Sequence, residues 1–253
     1  MAELPSLTAL FLSGSCARGL DDDYSDLDLL GVAEVPHHAQ AVAEWKALLG
    51  SIVPVVSWNE RHQGATLLNA ITDDWLRCDL AIAPQAMIQQ QAQDLLRPLH
   101  DPHGLFGALP QTRRQAAIDP RQLEQIVSEF IRVLGLLTVV DAREEYVVGA
   151  AGVGMLRDLF RELMLLDIPQ AYRGGALHLR RLLGAEDLAQ LERLPYPGPE
   201  REAVLAAHIA VAAAFFPRAR QLAAIHGATW PTAFEAAARR ALSERFGDRF
   251  ERV

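Results

Sequence analysis

Hydrophobic and polar positions change rhythm near the middle of this chain. From Leu7 to Ala83 short apolar runs alternate with turns. Thr8-Ala9-Leu10-Phe11-Leu12 predicts a buried strand ending at Gly14, and Leu27 to Val32 predicts a second. Val42, Trp45, Leu48 and Leu49 recur at helical spacing between His38 and Leu49, with Gly50 as the expected stop. Ile52 to Trp58 is rich in β-branched residues and predicts a strand. Thr66 to Ala70 and Trp75 to Ala83 predict a hairpin around Thr72-Asp73-Asp74, whose aspartates suit a turn.

Beyond Pro84 the strand signal fades. Arg97 to Pro110, with Asp101-Pro102-His103-Gly104, predicts a connection. Asp119-Pro120 is then a helix start, the acid as cap and the proline in the first turn. Ile126, Phe130, Val133, Leu134 and Leu137 follow at helical spacing. A second helix is expected over Arg143 to Leu166, closed by Pro169, and others over Ala176 to Leu183, Glu186 to Leu194, Glu200 to Ala224 and Pro231 to Phe246. The expected fold is α+β: a small mixed-sheet domain over residues 1–105, then an α-helical bundle domain over residues 106–253.

Composition narrows the class. Hydrophobic residues at 50% and charged residues at 22% are ordinary globular usage and exclude a disordered or fibrous chain. The apolar runs fall short of the roughly 20 residues a membrane helix needs, and no basic region precedes an apolar stretch at the N-terminus. A cytoplasmic protein without a membrane partner is expected. Cys16 and Cys78 are too few for a disulfide framework or a four-thiolate zinc site. Charge is unevenly placed: 14 acidic against 5 basic residues up to Pro110, and 18 against 19 from Gln111 onward. The negative field of the first half should attract metal ions or a polycationic small molecule. It opposes broad nucleic-acid binding, as does the 7% aromatic content, so no nucleic-acid partner is expected.

The chemistry lies in Phe11-Leu12-Ser13-Gly14-Ser15-Cys16-Ala17-Arg18-Gly19 and in Tyr24-Ser25-Asp26-Leu27-Asp28-Leu29-Leu30. A buried strand delivers Gly14-Ser15 into a loop. Glycine lets the backbone approach a ligand, and consecutive N–H groups with the Ser15 hydroxyl suit phosphate oxygens. Arg18 could add a bidentate phosphate contact. After a spacer of ten residues from Ser15, Asp26 and Asp28 stand two apart on a strand, so both carboxylates share a face. Adjacent carboxylates stay ionised comfortably only around a cation, and Mg²⁺ prefers carboxylates, water and substrate phosphates.

This arrangement resembles the nucleotidyltransferase signature of the DNA polymerase β-like superfamily: an apolar strand, Gly-Ser, a spacer of about ten residues, then Asp-x-Asp in a strand. The two-part layout looks like the bacterial antibiotic nucleotidyltransferases that modify aminoglycosides or lincosamides. Arg143-Glu144-Glu145, leading into Leu156-Arg157-Asp158-Leu159, is similar to a second-domain helix of several of them, as is the Asp101 to Gly104 connection. The resemblance implies a third carboxylate from a later strand, and Asp79 in Leu76-Arg77-Cys78-Asp79-Leu80-Ala81-Ile82 is placed for it. It implies that Asp26 and Asp28 bind a pair of Mg²⁺ ions, with Asp79 completing the metal site or approaching the acceptor hydroxyl. Gly14 and Ser15 would hold the triphosphate of ATP, helped by Arg18 and Ser25. Glu145, with Glu144 as the alternative, would be the general base. The implied reaction is attack of an acceptor hydroxyl on the α-phosphorus, with release of pyrophosphate. A small hydroxylated, cationic acceptor such as an aminoglycoside fits the acidic first half, and a homodimer is left open.

Two rival readings stand beside this one: the same domain acting on a protein or RNA acceptor, and a non-catalytic nucleotide-binding or antitoxin-like partner that kept the fold. Asp21-Asp22-Asp23 reads as a solvated loop. Gly149, Gly152 and Gly154 interrupt a helical pattern and suggest close helix packing, with the floor of a substrate pocket as the other reading. His100 and His103 belong to a connection, His37-His38 opens a helix, and Cys78 should face the core, away from Asp79.

Overall fold

Alternation of buried and half-buried positions organises the first half of the chain into one mixed sheet. The structure is a computed structural model that describes residues 4–112, 118–168 and 178–250. It divides into two units, Met1–Arg114 and Gln115–Val253. The strands of the first are β1 (Ala9–Leu12), β2 (Leu27–Val32), β3 (Val55–Gln63), β4 (Ala65–Thr72), β5 (Arg77–Ala83) and β6 (Arg97–His100). They form a six-stranded sheet in the order β3-β4-β5-β2-β1-β6. β2 and β5 run parallel, and the other neighbours are antiparallel.

The register follows from the side chains. In β4 and β5 alternate residues are buried, so Leu68, Ala70, Cys78, Leu80 and Ile82 enter the core while Asn69, Arg77 and Asp79 face the other way. A four-residue helix, α1 (Gly14–Ala17), follows β1, and α2 (His38–Ile52) supplies Ala41, Val42, Trp45 and Leu49 to the same core. Cys78 is buried as expected. A short helix, α3 (Gln85–Ile88), follows β5.

Several expectations need correction. Helix α2 runs through Gly50 to Ile52, so the strand expected from Ile52 begins only at Val55 and extends to Gln63. The polar run Asn59-Glu60-Arg61-His62-Gln63 hid its far half: β3 is an exposed edge strand with no apolar alternation to read. Gly64, at φ +77°, makes the unpredicted β3–β4 turn. Arg97 to His100, expected as connection, pairs with β1 as the opposite edge. The Asp101 carboxylate then accepts 2.8 Å bonds from the Leu105 and Phe106 amides, closing that connection into a turn.

The second unit is helical: α4 (Pro120–Gly135), α5 (Leu137–Ala142), α6 (Tyr146–Leu166), α7 (Leu179–Leu182), α8 (Ala185–Arg193), α9 (Arg201–His226) and α10 (Thr232–Phe246). Asp119 caps α4, its carboxylate accepting from the Arg121 amide at 2.9 Å. The helix expected from Arg143 starts later: Glu144 takes a left-handed φ of +57° and separates α5 from α6. The expected stop at Pro169 and the start of the helix expected from Ala176 lie outside the described residues.

An aromatic cluster fills this core. Phe130 on α4 stacks on Phe215 of α9 with ring centroids 3.7 Å apart, and Phe160 and Phe216 meet that pair edge-on. Buried Asp141 accepts from Arg201 Nε at 2.6 Å and Arg245 Nε at 2.7 Å, tying α5 to α9 and α10. Helix α9 matches the expected span to within two residues but is more apolar than expected: it reaches the length and hydropathy of a membrane span, at a mean of 1.3, with 50% of that window buried. Its buried positions, from Val204 to Ala223, pack largely on α4 and α6 as the central element of the unit.

Phe130 lies at the centre of the stack and is fully buried. Phe130→Ala is therefore expected to lower unfolding free energy by about 3–5 kcal/mol in denaturant melts, and a loss under about 1 kcal/mol would contradict this packing.

Candidate active site

Parallel pairing of β2 with β5 sets Asp28 directly beside Asp79. Side chains paired in register share a face, so both carboxylates leave the sheet on the same side. Asp26, just before β2, joins them. Each of the three offers one oxygen, and these oxygens lie within 4.8 Å of one another. All three side chains are half-buried. The structure thus gathers Asp28 and Asp79 from two strands far apart in sequence, with Asp26 from the residue preceding β2 rather than from the strand itself.

Gly14 closes the other side of the cluster. It turns the chain out of β1 at φ +63°, a conformation that favours glycine. A Cβ built there would overlap the Asp28 carboxylate, with Asp28 Cγ only 2.7 Å away. The backbone at Gly14 therefore lies against the carboxylate, and any side chain would displace it. The Ser13 amide donates to the Asp28 carbonyl at 2.8 Å, which holds the turn on β2. Ser15 follows as a buried residue at the start of α1, where the first N–H groups of a helix have no partner within it.

Like charges this close have an electrostatic cost. Burial, then the charges of Asp26 and Asp79, push the Asp28 carboxyl up to about 6, and Arg77 opposes them. Arg77 Nη2 stands 3.9 Å from Asp26 Oδ2 and donates to the Tyr24 carbonyl at 3.0 Å. The sequence reading missed this arginine, although period two in β5 puts it on the face of Asp79. It also missed Asn69, which pairs in register with Asp79 and accepts from Arg61 Nη2 at 3.0 Å. That placement needed the β4–β5 pairing and could not be read locally.

The remaining expected residues lie as follows. Ser25 is bound into the loop before β2: its hydroxyl accepts from the Asp22 amide at 2.9 Å and donates to the Asp22 carboxylate at 3.2 Å. Arg18 ends α1 with an exposed side chain, its amide donating to the Ser15 carbonyl. Cys16 donates from sulfur to the Asp26 carbonyl at 3.6 Å, and burial with Asp21 pushes its thiol up, which disfavours a thiolate. Glu145 belongs to the second unit, exposed immediately before α6, beside Glu144.

Three clustered carboxylates are a hard oxygen donor set of the kind that suits Mg²⁺ or Mn²⁺ rather than a thiolate metal. The elevated Asp28 pKa fits the same reading, since charge on this group is underbalanced by protein alone.

No protein-family model and no curated sequence matches the chain. Among solved structures, it is similar to an aminoglycoside 6-adenyltransferase from Bacillus subtilis, at 11% identity and a TM-score of 0.46, over 93% of this chain and 90% of that one. It is also similar to a cytoplasmic RNA terminal U-transferase, at 14% identity and a TM-score of 0.26, over 83% of this chain and 58% of that one. Likenesses at this level assign no activity to this chain, which has to be argued from its own residues.

Two predictions follow from the geometry. Asp28 binds its proton more tightly folded than unfolded, so its contribution to stability is complete below pH 4 and is lost as pH rises through about 6. With water screening this half-buried group, the loss is on the order of 1 kcal/mol. In chelator at pH 8, Asp28→Asn should therefore melt higher than the parent, while Mg²⁺ raises the melting point of the parent alone. A variant that melts lower at pH 8, or responds equally to Mg²⁺, contradicts the account. Gly14→Ala should cost about 1–3 kcal/mol and abolish the Mg²⁺ response; an unchanged response would show that Gly14 and Asp28 are not in contact.

Proposed function

We propose that this chain is a divalent-metal-dependent nucleotidyltransferase that transfers a nucleoside monophosphate, AMP from ATP, to a hydroxyl of a small molecule. The observation that carries this reading is the convergence of Asp26, Asp28 and Asp79 against the Gly14-Ser15 turn. Metal-binding carboxylates beside a backbone bend able to meet phosphate oxygens are the equipment of transfer at phosphorus.

Each residue has a definite task in this reading. Asp26, Asp28 and Asp79 would hold the Mg²⁺ ions. Those ions, when bound, would supply the positive charge that offsets the triphosphate and the attacking and leaving oxygens. Gly14 and Ser15 orient the triphosphate through backbone N–H groups and the Ser15 hydroxyl. Arg77 limits the repulsion among the carboxylates and keeps Asp26 in place. The acceptor hydroxyl attacks the α-phosphorus, the bond to the bridging β-phosphate oxygen breaks, and pyrophosphate leaves. Positioning and charge provide most of the acceleration in such a reaction. Glu145 is the proposed base for the hydroxyl proton. A cationic acceptor of the aminoglycoside kind fits the acidic balance of the first 110 residues.

The test is incubation with ATP, Mg²⁺ and a panel of aminoglycosides, reading pyrophosphate release and acceptor mass. The expected result is an acceptor heavier by one AMP. Asp26→Asn, Asp28→Asn and Asp79→Asn should each reduce the rate by at least about 100-fold while circular dichroism stays unchanged. Glu145→Gln should lower kcat and flatten the acidic limb of its pH profile. Triphosphate that fails to bind, or turnover that survives all three aspartate changes, would refute the proposal.

A further inference from the structure

The helical unit contains a cavity to which the reading above assigns no role. A cavity of about 350 Å³ lies among α4, α5, α6 and α9, within the size range of small-molecule sites. Its walls are largely apolar, with Val133, Leu137, Val140 and Met155 among them. Arg132 also lines it, but its guanidinium is committed to Glu129 by 2.7 Å bonds from Nε and Nη2.

His208, on α9, is the other polar group there, and it is 2% exposed. Its Nδ1–H donates to the Val204 carbonyl one turn back, at 2.8 Å. That bond fixes the tautomer, so Nε2 is the acceptor nitrogen. Burial lowers the imidazole pKa and keeps the ring neutral at pH 7. Among the described residues, nothing donates to Nε2.

The glycines of α6 account for access to it. A Cβ at Gly149 would come within 2.8 Å of Val204 Cγ1 and 2.9 Å of Val140 Cγ1, so that glycine is required for the helices to cross. Gly152 differs: a Cβ there would stand 3.6 Å from His208 Nε2 in ordinary contact. Packing therefore tolerates a side chain at position 152, yet any large one would cover the acceptor. Its absence uncovers the ring edge on the cavity.

We propose that this cavity binds a compact, uncharged, mostly apolar molecule that donates one hydrogen bond, from a hydroxyl or a ring N–H, to His208 Nε2. An ionic ligand would lose hydration against apolar walls without finding an unpaired countercharge. A flat ring carrying one donor satisfies both the walls and the nitrogen. The cavity belongs to the second unit and the aspartate cluster to the first, and its occupancy does not depend on the transferase reading.

The test is calorimetric titration of the full chain with indole and with benzothiophene, which has nearly the same shape but no N–H. Saturable indole binding is expected, with benzothiophene weaker by about five- to tenfold. His208→Leu should bring indole down to the level of benzothiophene, and Gly152→Leu should abolish binding of both while the helical circular dichroism is retained. If His208→Leu fails to fold, the ratio of the two probes in the parent and the response of Gly152→Leu decide. No saturable indole binding up to about 10 mM, equal affinity for both probes, or binding that survives Gly152→Leu would overturn the proposal.

Discussion

Repulsion among three carboxylates is the constraint on which the first unit turns. Parallel pairing of β2 with β5 forces Asp28 and Asp79 together, and the residue before β2 adds Asp26 within the same 4.8 Å. Strand pairing and the apolar core beneath sustain this arrangement against its own electrostatics. The cost shows at Asp28, whose carboxyl is pushed up to about 6 by burial and by its neighbours. Arg77 opposes that shift without cancelling it, and a divalent ion would add positive charge beside the three acids.

The surroundings serve the same end. Leu29, Leu68, Leu80 and Ile82 lock the strands from below with α2, so the carboxylates cannot separate by moving apart with their strands. Gly14 then brings backbone directly onto Asp28, which limits how far that side chain can swing. The fold itself thus holds the three carboxylates in place, and in the proposed reaction that would keep charge reorganisation small. In the second unit the same logic appears with the opposite outcome. Asp141 and Glu235 are also buried acids, but each is met by arginines at hydrogen-bond distance, and both carboxyls are held below the ordinary range. Paired buried acids fasten helices; the underpaired ones mark the site.

Much of this was legible locally. The strand Leu27–Val32 with Asp28 in it follows from period-two alternation, while Asp26, expected on the same strand, lies just before it, and Asp119-Pro120 marked the start of α4 correctly. The sequence also placed Cys78 in the core by alternation with Asp79. What escaped depended on partners distant in sequence. β6 is a short edge strand with Pro98 in it that pairs with β1, and β3 has a polar outer half because it too is an edge. Glu144 split an otherwise continuous helical pattern through a left-handed φ that composition does not announce. Arg77 and Asn69 belong beside the aspartates only because β5 lies between β2 and β4. The cavity around His208 required four helices to be assembled before one nitrogen could be seen to lack a donor.

The claim beneath the account is that Asp26, Asp28 and Asp79 together form a divalent-cation site. Anomalous scattering from crystals soaked in Mn²⁺ addresses it most directly. Anomalous density bounded by those three carboxylates, and absent from crystals of Asp28→Asn, is the expected result. Density confined to the Asp21-Asp22-Asp23 loop, or none anywhere at saturating Mn²⁺, would contradict it.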